Sequence, residues 1–120
     1  MATIKKVNSS TSLNEAVLEE ACRFNEVMRL IAPQWKMQLL FSIQWGDNRF
    51  SLLKKVYPSL SDQMLSKRLT ELTKEGFVNK VTAADPKHVV VTYYLTQKAD
   101  ELLTLVPRFC EWGEKWLGSD

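Results

Sequence analysis

Between Leu60 and Gly76 the apolar positions recur at the helical period, with Leu65, Leu69 and Leu72 on one face. Gln63, Lys67, Thr70 and Lys74 project from the opposite face. The ends of this stretch carry helix punctuation. Ser61 can cap the free donors of the first turn, and Leu60 can staple onto Leu65. Lys74 suits the negative end of the helix dipole and Gly76 the termination. Upstream, Ser12 and Glu15 have capping-box spacing and predict a helix over Leu13 to Ala32. Its apolar positions cover more than one stripe, which predicts burial on two sides. Pro33 is placed to open a second helix, with Trp35, Leu39, Leu40 and Ile43 on its apolar face and Gly46-Asp47-Asn48 closing it. After the link Arg49-Phe50, Ser51 caps a compact helix from Leu52 to Tyr57, which Pro58 stops.

Beyond Gly76 the period changes to two. Residues Phe77 to Thr82 and Val89 to Leu95 are rich in β-branched and aromatic side chains, and Ala83 to His88 between them carries Pro86. This pattern predicts a β-hairpin. Thr96 then caps a last helix from Gln97 to about Leu117, with Pro107 expected to kink it. Its apolar residues form two stripes: Leu102, Val106, Phe109, Trp112 and Trp116 against Ala99, Leu103, Cys110 and Leu117. One stripe can cover the chain's own core, and the other needs a partner. The element order predicts a mainly α fold with a small β-hairpin wing, a winged helix-turn-helix with helical additions at both ends. Residues 1–11 read as a flexible arm and 12–120 as a single domain.

Composition narrows the class of partner. With 120 residues, 45% hydrophobic and 25% charged, the chain matches an ordinary globular domain that gains from dimerising. No apolar run approaches the roughly 20 residues that span a bilayer, and no apolar signal core begins the chain, so no membrane partner and a cytoplasmic location are expected. In that compartment Cys22 and Cys110 are thiols at rest. Charge is unevenly distributed. Arg49 to His88 holds Arg49, Lys54, Lys55, Lys67, Arg68, Lys74, Lys80 and Lys87 against only Asp62, Glu71, Glu75 and Asp85. The rest of the chain is slightly acidic, so a polyanion is favoured near Leu60–Gly76. One histidine, no Ser-His-acid set, no clustered Cys/His ligands and no glycine-rich phosphate loop argue against an enzyme, a metal site or a cofactor.

The outer face of Leu60–Gly76 offers amides and hydroxyls for base edges and lysine for phosphates, which is what a helix in a DNA major groove needs. The candidate DNA contacts are Ser61, Gln63, Ser66, Lys67, Arg68 and Thr70, with Lys87 and His88 at the hairpin tip. Each has a plainer reading. Ser61 can serve only as a cap, Arg68 can lie along the domain surface, and the tip can be a solvated loop. A solvated amphipathic helix is the corresponding reading of the whole stretch. Arg23 beside Cys22, with Arg29 two turns further along, can favour the thiolate of a redox sensor, while an inert thiol remains the alternative. Cys110 lies among aromatics and reads as core or dimer packing, and the four tryptophans as core and interface anchors.

Several runs resemble one known family. They are Trp35-Lys36-x-x-Leu39-Leu40, Arg49-Phe50-x-x-Leu53, Pro58-x-Leu60-Ser61 and Leu65-Ser66-x-x-Leu69-x-x-Leu72. Glu75-Gly76-Phe77-Val78, Tyr94-Leu95-Thr96 and Cys110-Glu111-Trp112-Gly113 continue the match, which covers Cys22 to about Trp116. The pattern is similar to that of the HxlR-type bacterial transcriptional regulators, themselves related to MarR-type proteins. The resemblance implies a homodimeric winged helix that binds double-stranded operator DNA, an inverted repeat, through the helix of Leu60–Gly76. It also implies a sensing role for Cys22 toward oxidants or electrophiles, while the two-stripe pattern of the last helix points to dimerisation through the N- and C-terminal helices, with Phe109, Trp112 and Trp116 at the interface. Two departures stand out: Arg23 follows Cys22 where the family often has Pro, and Ala32-Pro33-Gln34 precedes Trp35 in place of Gly-Gly-Lys. The alternative reading is a winged helix used as a protein-interaction module, without sequence-specific DNA binding.

Overall fold

A computed structural model describes residues 11–118, with side chains from Asn14 onward. The arm expected over residues 1–11 therefore lies, apart from Thr11, outside the described residues. The chain forms two compact units, one ending at Gln34 and the other beginning at Trp35.

The first unit is built on α1 (Thr11–Ile31), which already includes Ser12, so that residue is not the cap expected of it. Leu18, Phe24 and Val27 are exposed, at 63%, 51% and 38%. Burial on two sides is thus not what the single chain provides: apolar periodicity marks a face but does not supply its cover.

The second unit runs α2 (Lys36–Gln44), α3 (Phe50–Val56), α4 (Asp62–Lys74), β1 (Val78–Ala84), β2 (Val89–Leu95) and α5 (Gln97–Leu117). Its core is a leucine cluster. Leu39, Leu40, Leu53, Leu65, Leu69 and Leu72 are each exposed by 2% or less, and Val78 and Phe77 join them from the start of the hairpin.

Three boundaries depart from the sequence reading. Pro33 does not open α2. The helix starts three residues later, after Trp35, whose φ of 80° is left-handed and cannot continue a helix backwards. A bulky residue held there costs on the order of 1–3 kcal/mol. Its indole meets the Tyr57 ring edge-on at 5.5 Å, and the Tyr57 hydroxyl bonds to Ser42 Oγ at 2.6 Å and the Gln38 carbonyl at 3.1 Å. Helix α3 begins at Phe50, so Ser51 lies inside it; extended Arg49 is the N-cap and its carbonyl accepts the first-turn bond from Leu53 at 3.0 Å. Finally, Ala83 and Ala84 are paired strand and not turn, opposite Val90 and Val89.

The hairpin is antiparallel from Val78↔Leu95 to Ala84↔Val89. Only its base is buried: Val78 on β1, Thr92 and Tyr93 on β2. The Tyr93 N–H donates to the Asn48 carbonyl at 2.8 Å and so fixes that base to the loop after α2, while the distal half stands out as the wing. Thr96 caps α5 as expected, accepting from the Ala99 N–H at 3.3 Å, and the helix continues without a break through Pro107. Of the stripe formed by Ala99, Leu103, Cys110 and Leu117, only Ala99 and Leu103 are buried. Cys110 and Leu117 are exposed, because the core ends before the helix does, which leaves dimer packing as the reading open to Cys110. Trp45 is also exposed, at 83%, since it follows the last turn of α2 beside Gly46 and is no core anchor.

Candidate nucleic-acid interface

Helix α4 is fixed at both ends by its own backbone chemistry. The Ser61 Oγ accepts from the Met64 N–H at 3.1 Å, satisfying a first-turn donor. At the other end the Gly76 N–H donates to the Thr73 carbonyl (3.2 Å) and the Phe77 N–H to the Leu72 carbonyl (2.9 Å). This is a Schellman ending, and it needs the positive φ of 81° that Gly76 adopts. Phe77, buried just beyond, anchors the turn from helix to wing.

Three lysines from three other helices then tie α4 in place. From α3, Lys54 reaches Asp62 Oδ1 at 3.2 Å and also donates to the Leu60 carbonyl. From α2, Lys36, only 3% exposed, donates to Glu75 Oε1 at 2.6 Å. From α5, Lys98 donates to the Glu75 carbonyl at 2.6 Å, with its ammonium 4.7 Å from the centre of the Phe77 ring. Sequence reasoning missed these roles. The partner of Lys36 lies 39 residues away, so no local spacing announces it.

The result is a sorted surface. Asp62 is paired with Lys54, Glu71 with Arg68 at 2.8 Å, and Glu75 with Lys36. The hydrogen bond from Arg68 holds the Glu71 carboxyl below its usual range, with the charges of Arg68, Lys36 and Lys67 acting in the same direction. Lys67, Lys74 and Lys80, by contrast, form no salt bridge among the described residues. Gln63, Lys67, Thr70 and Lys74 follow one another at helical spacing along the exposed side of α4, and Ser66 is exposed as well. Arg68 sits apart from this stripe, its side chain 12% exposed and laid against Glu71.

At the wing, Asp85 Oδ1 accepts from the N–H groups of Lys87 (2.8 Å) and His88 (2.6 Å), and these bonds hold its carboxyl below the ordinary value. The turn is thereby ordered while the Lys87 and His88 side chains stay exposed. His88 Nδ1 lies 3.5 Å from Asp85 Oδ1, a salt bridge only when the imidazole is protonated. Cys22 on α1 and Cys110 on α5 are both exposed free thiols. Among the described residues, no cluster of His, Cys, Asp or Glu could hold a metal ion, and no helix is long and apolar enough to cross a membrane.

Residues 30–120 match the family model described as HxlR-like helix-turn-helix. The chain is 30% identical over 99 residues to the uncharacterised HTH-type transcriptional regulator YvaP of Bacillus subtilis, covering 82% of this chain and 91% of that one. Among solved structures, the redox regulator HypR in its reduced form superposes with a TM-score of 0.69 at 28% identity, covering 78% of this chain and 91% of that one. The reduced transcriptional regulator YodB from B. subtilis shares the fold, with a TM-score of 0.71 at 23% identity over 78% of this chain and 91% of that one.

Proposed function

Since the chain belongs to the HxlR-like helix-turn-helix family of transcriptional regulators, we propose that it binds an inverted-repeat operator in the cytoplasm as a homodimer. In this reading α4 of each protomer enters successive major grooves, and the wings lie on the flanking backbone. One observation carries it: every acid from Asp62 to Glu75 is occupied by a cation, while Lys67 and Lys74 on the outer stripe are left for an external anion. Gln63 and Thr70 read base edges, Ser66 supports them, and Lys67 takes a phosphate. Ser61 contributes its cap and sits beside the first phosphate, and Arg68 holds Glu71 away from the duplex. Lys87 and His88 contact the backbone from the wing. The protomers pair through the exposed apolar residues of α1 and α5, above all Phe109, Trp112 and Trp116, exposed by 58–65%.

Selection from a random-duplex library tests this. The reading expects the wild type to enrich an inverted repeat and to shift it at much lower concentration than a scrambled copy. The competing reading, a protein-interaction module, expects weak, sequence-blind binding and no enrichment. HypR is itself a redox regulator, and the exposed thiol of Cys22 supports an analogous switch here. An oxidant should then change affinity for the enriched duplex, and Cys22→Ser should remove the change. An unchanged wild type rules the switch out.

A further inference from the structure

Between α4 and the hairpin lies a cleft of about 350 Å³, lined by Leu69, Thr70, Thr73, Lys74, Lys80 and Tyr93. Its floor is apolar: Leu69 is 2% exposed and Tyr93 8%. Burial pushes the Tyr93 phenol up, so it stays neutral and brings no negative charge to the site. The Thr73 hydroxyl is already spent on the Leu69 carbonyl, to which it donates at 2.7 Å. What remains at the rim is cationic. Lys74 comes from the last turn of α4 and Lys80 from β1, and neither forms a salt bridge among the described residues. No acid lines the cleft, and the nearest ones in sequence, Glu71 and Glu75, are held by Arg68 and Lys36.

Position gives this pair of ammonium groups a ligand. Thr70 and Lys74 are the last two members of the exposed stripe that starts at Gln63, so the cleft continues that stripe toward the wing. A duplex whose base edges face Gln63 and Thr70 brings a neighbouring stretch of sugar-phosphate backbone to the end of this stripe, beside the hairpin. Lys74 and Lys80 are both exposed, and the apolar floor beside them offers an anion no competing negative group.

We propose that this cleft seats one backbone phosphate of each half-site of the bound duplex, held between Lys74 on α4 and Lys80 on β1. The proposal rests on the DNA-binding reading and adds a contact that joins helix and wing on a single phosphodiester. Such a contact is blind to sequence but sets the register in which α4 meets the bases.

The test uses the full-length protein and the duplex enriched by the wild type, with its scrambled copy. Lys74→Gln and Lys80→Gln remove surface charges and leave the core intact. Because the homodimer loses the lysine in both half-sites, each should lower the slope of log affinity against log salt by about two, and should weaken both duplexes by the same factor. A scan of single methylphosphonate linkages should find one position in each half-site that weakens the wild type and has no effect on the double variant. Wild-type slopes in both variants, or a linkage scan identical in wild type and double variant, overturns the seat alone. A wild type that binds no duplex overturns the DNA-binding reading itself, and the seat with it.

Discussion

Helices α4 and α5 both set apolar side chains at helical spacing, yet the chain treats them in opposite ways. On α4 the apolar face is closed: Leu65, Leu69 and Leu72 are buried to 2% or less. On α5 only Ala99 and Leu103 are buried, and Leu105, Phe109, Trp112, Trp116 and Leu117 are exposed by 56–77%. What distinguishes them is the other face. That of α4 is polar, ordered and stripped of free acid, whereas the apolar face of α5 is the part left over. An amphipathic helix therefore shows its function by whichever face the monomer fails to satisfy. For α4 that face suits a polyanion, and for α5 an apolar surface such as a second copy of the chain.

The largest test of this contrast is a pair of truncations. Leu72→Ala should cost about 3–4 kcal/mol of folding stability, because it empties a fully buried leucine site. Trp112→Ala should leave monomer stability within about 0.5 kcal/mol, as for an exposed surface position, while weakening self-association by about 2 kcal/mol or more. Denaturation of dilute protein and sedimentation equilibrium separate the two quantities. If Trp112→Ala unfolds the monomer as severely as Leu72→Ala does, α5 is core and the contrast collapses.

A smaller effect is expected at the junction of α2 and α4. Lys36→Met strands the Glu75 carboxylate, whose side chain is 28% exposed. The loss should be about 2 kcal/mol, below the roughly 3–5 kcal/mol typical of a fully buried broken pair. Glu75→Gln combined with Lys36→Met should recover much of it, which a denaturant series would show.

The smallest effect is a titration. Arg68→Gln should bring the Glu71 carboxyl back up toward its ordinary value of 4.5, as followed by carboxyl NMR. Because the folded-state value is depressed, the pair's contribution to stability is fully present above the ordinary value of 4.5 and fades as the pH falls from there through the lower folded-state value. In Arg68→Gln this acid-side loss should be largely absent.

Much of α4 was legible beforehand, since its signals are local. Leucine spacing, the Ser61 cap and the Gly76 ending all lie within one stretch, and the β-branched run after Gly76 announces the hairpin just as locally. The start of α2 was not, because Pro33 suggests a helix opening and only the surroundings of Trp35, including Tyr57, stabilise a left-handed tryptophan there. The buried ammonium of Lys36 and the cleft at Lys80 were equally hidden. Each depends on residues brought together from distant parts of the chain, and a lysine on a polar strand looks the same whether or not it edges a cleft. Nor could spacing say that Cys110 and Leu117 would stay exposed, for periodicity is blind to where the core ends.

The central claim is that the outer stripe of α4 reads DNA, and it is met most directly by two exposed residues, Gln63 and Lys67. Affinity for the enriched duplex and for its single-base variants should be measured across a salt series for wild type, Gln63→Ala and Lys67→Ala. Gln63→Ala should cost about 1–3 kcal/mol per half-site on the enriched duplex and relax discrimination at one base pair of each half-site, whereas Lys67→Ala should weaken every duplex alike and lower the salt slope by about two, one for each half-site. Two variants that bind as the wild type does, with unchanged discrimination and slope, would contradict the account.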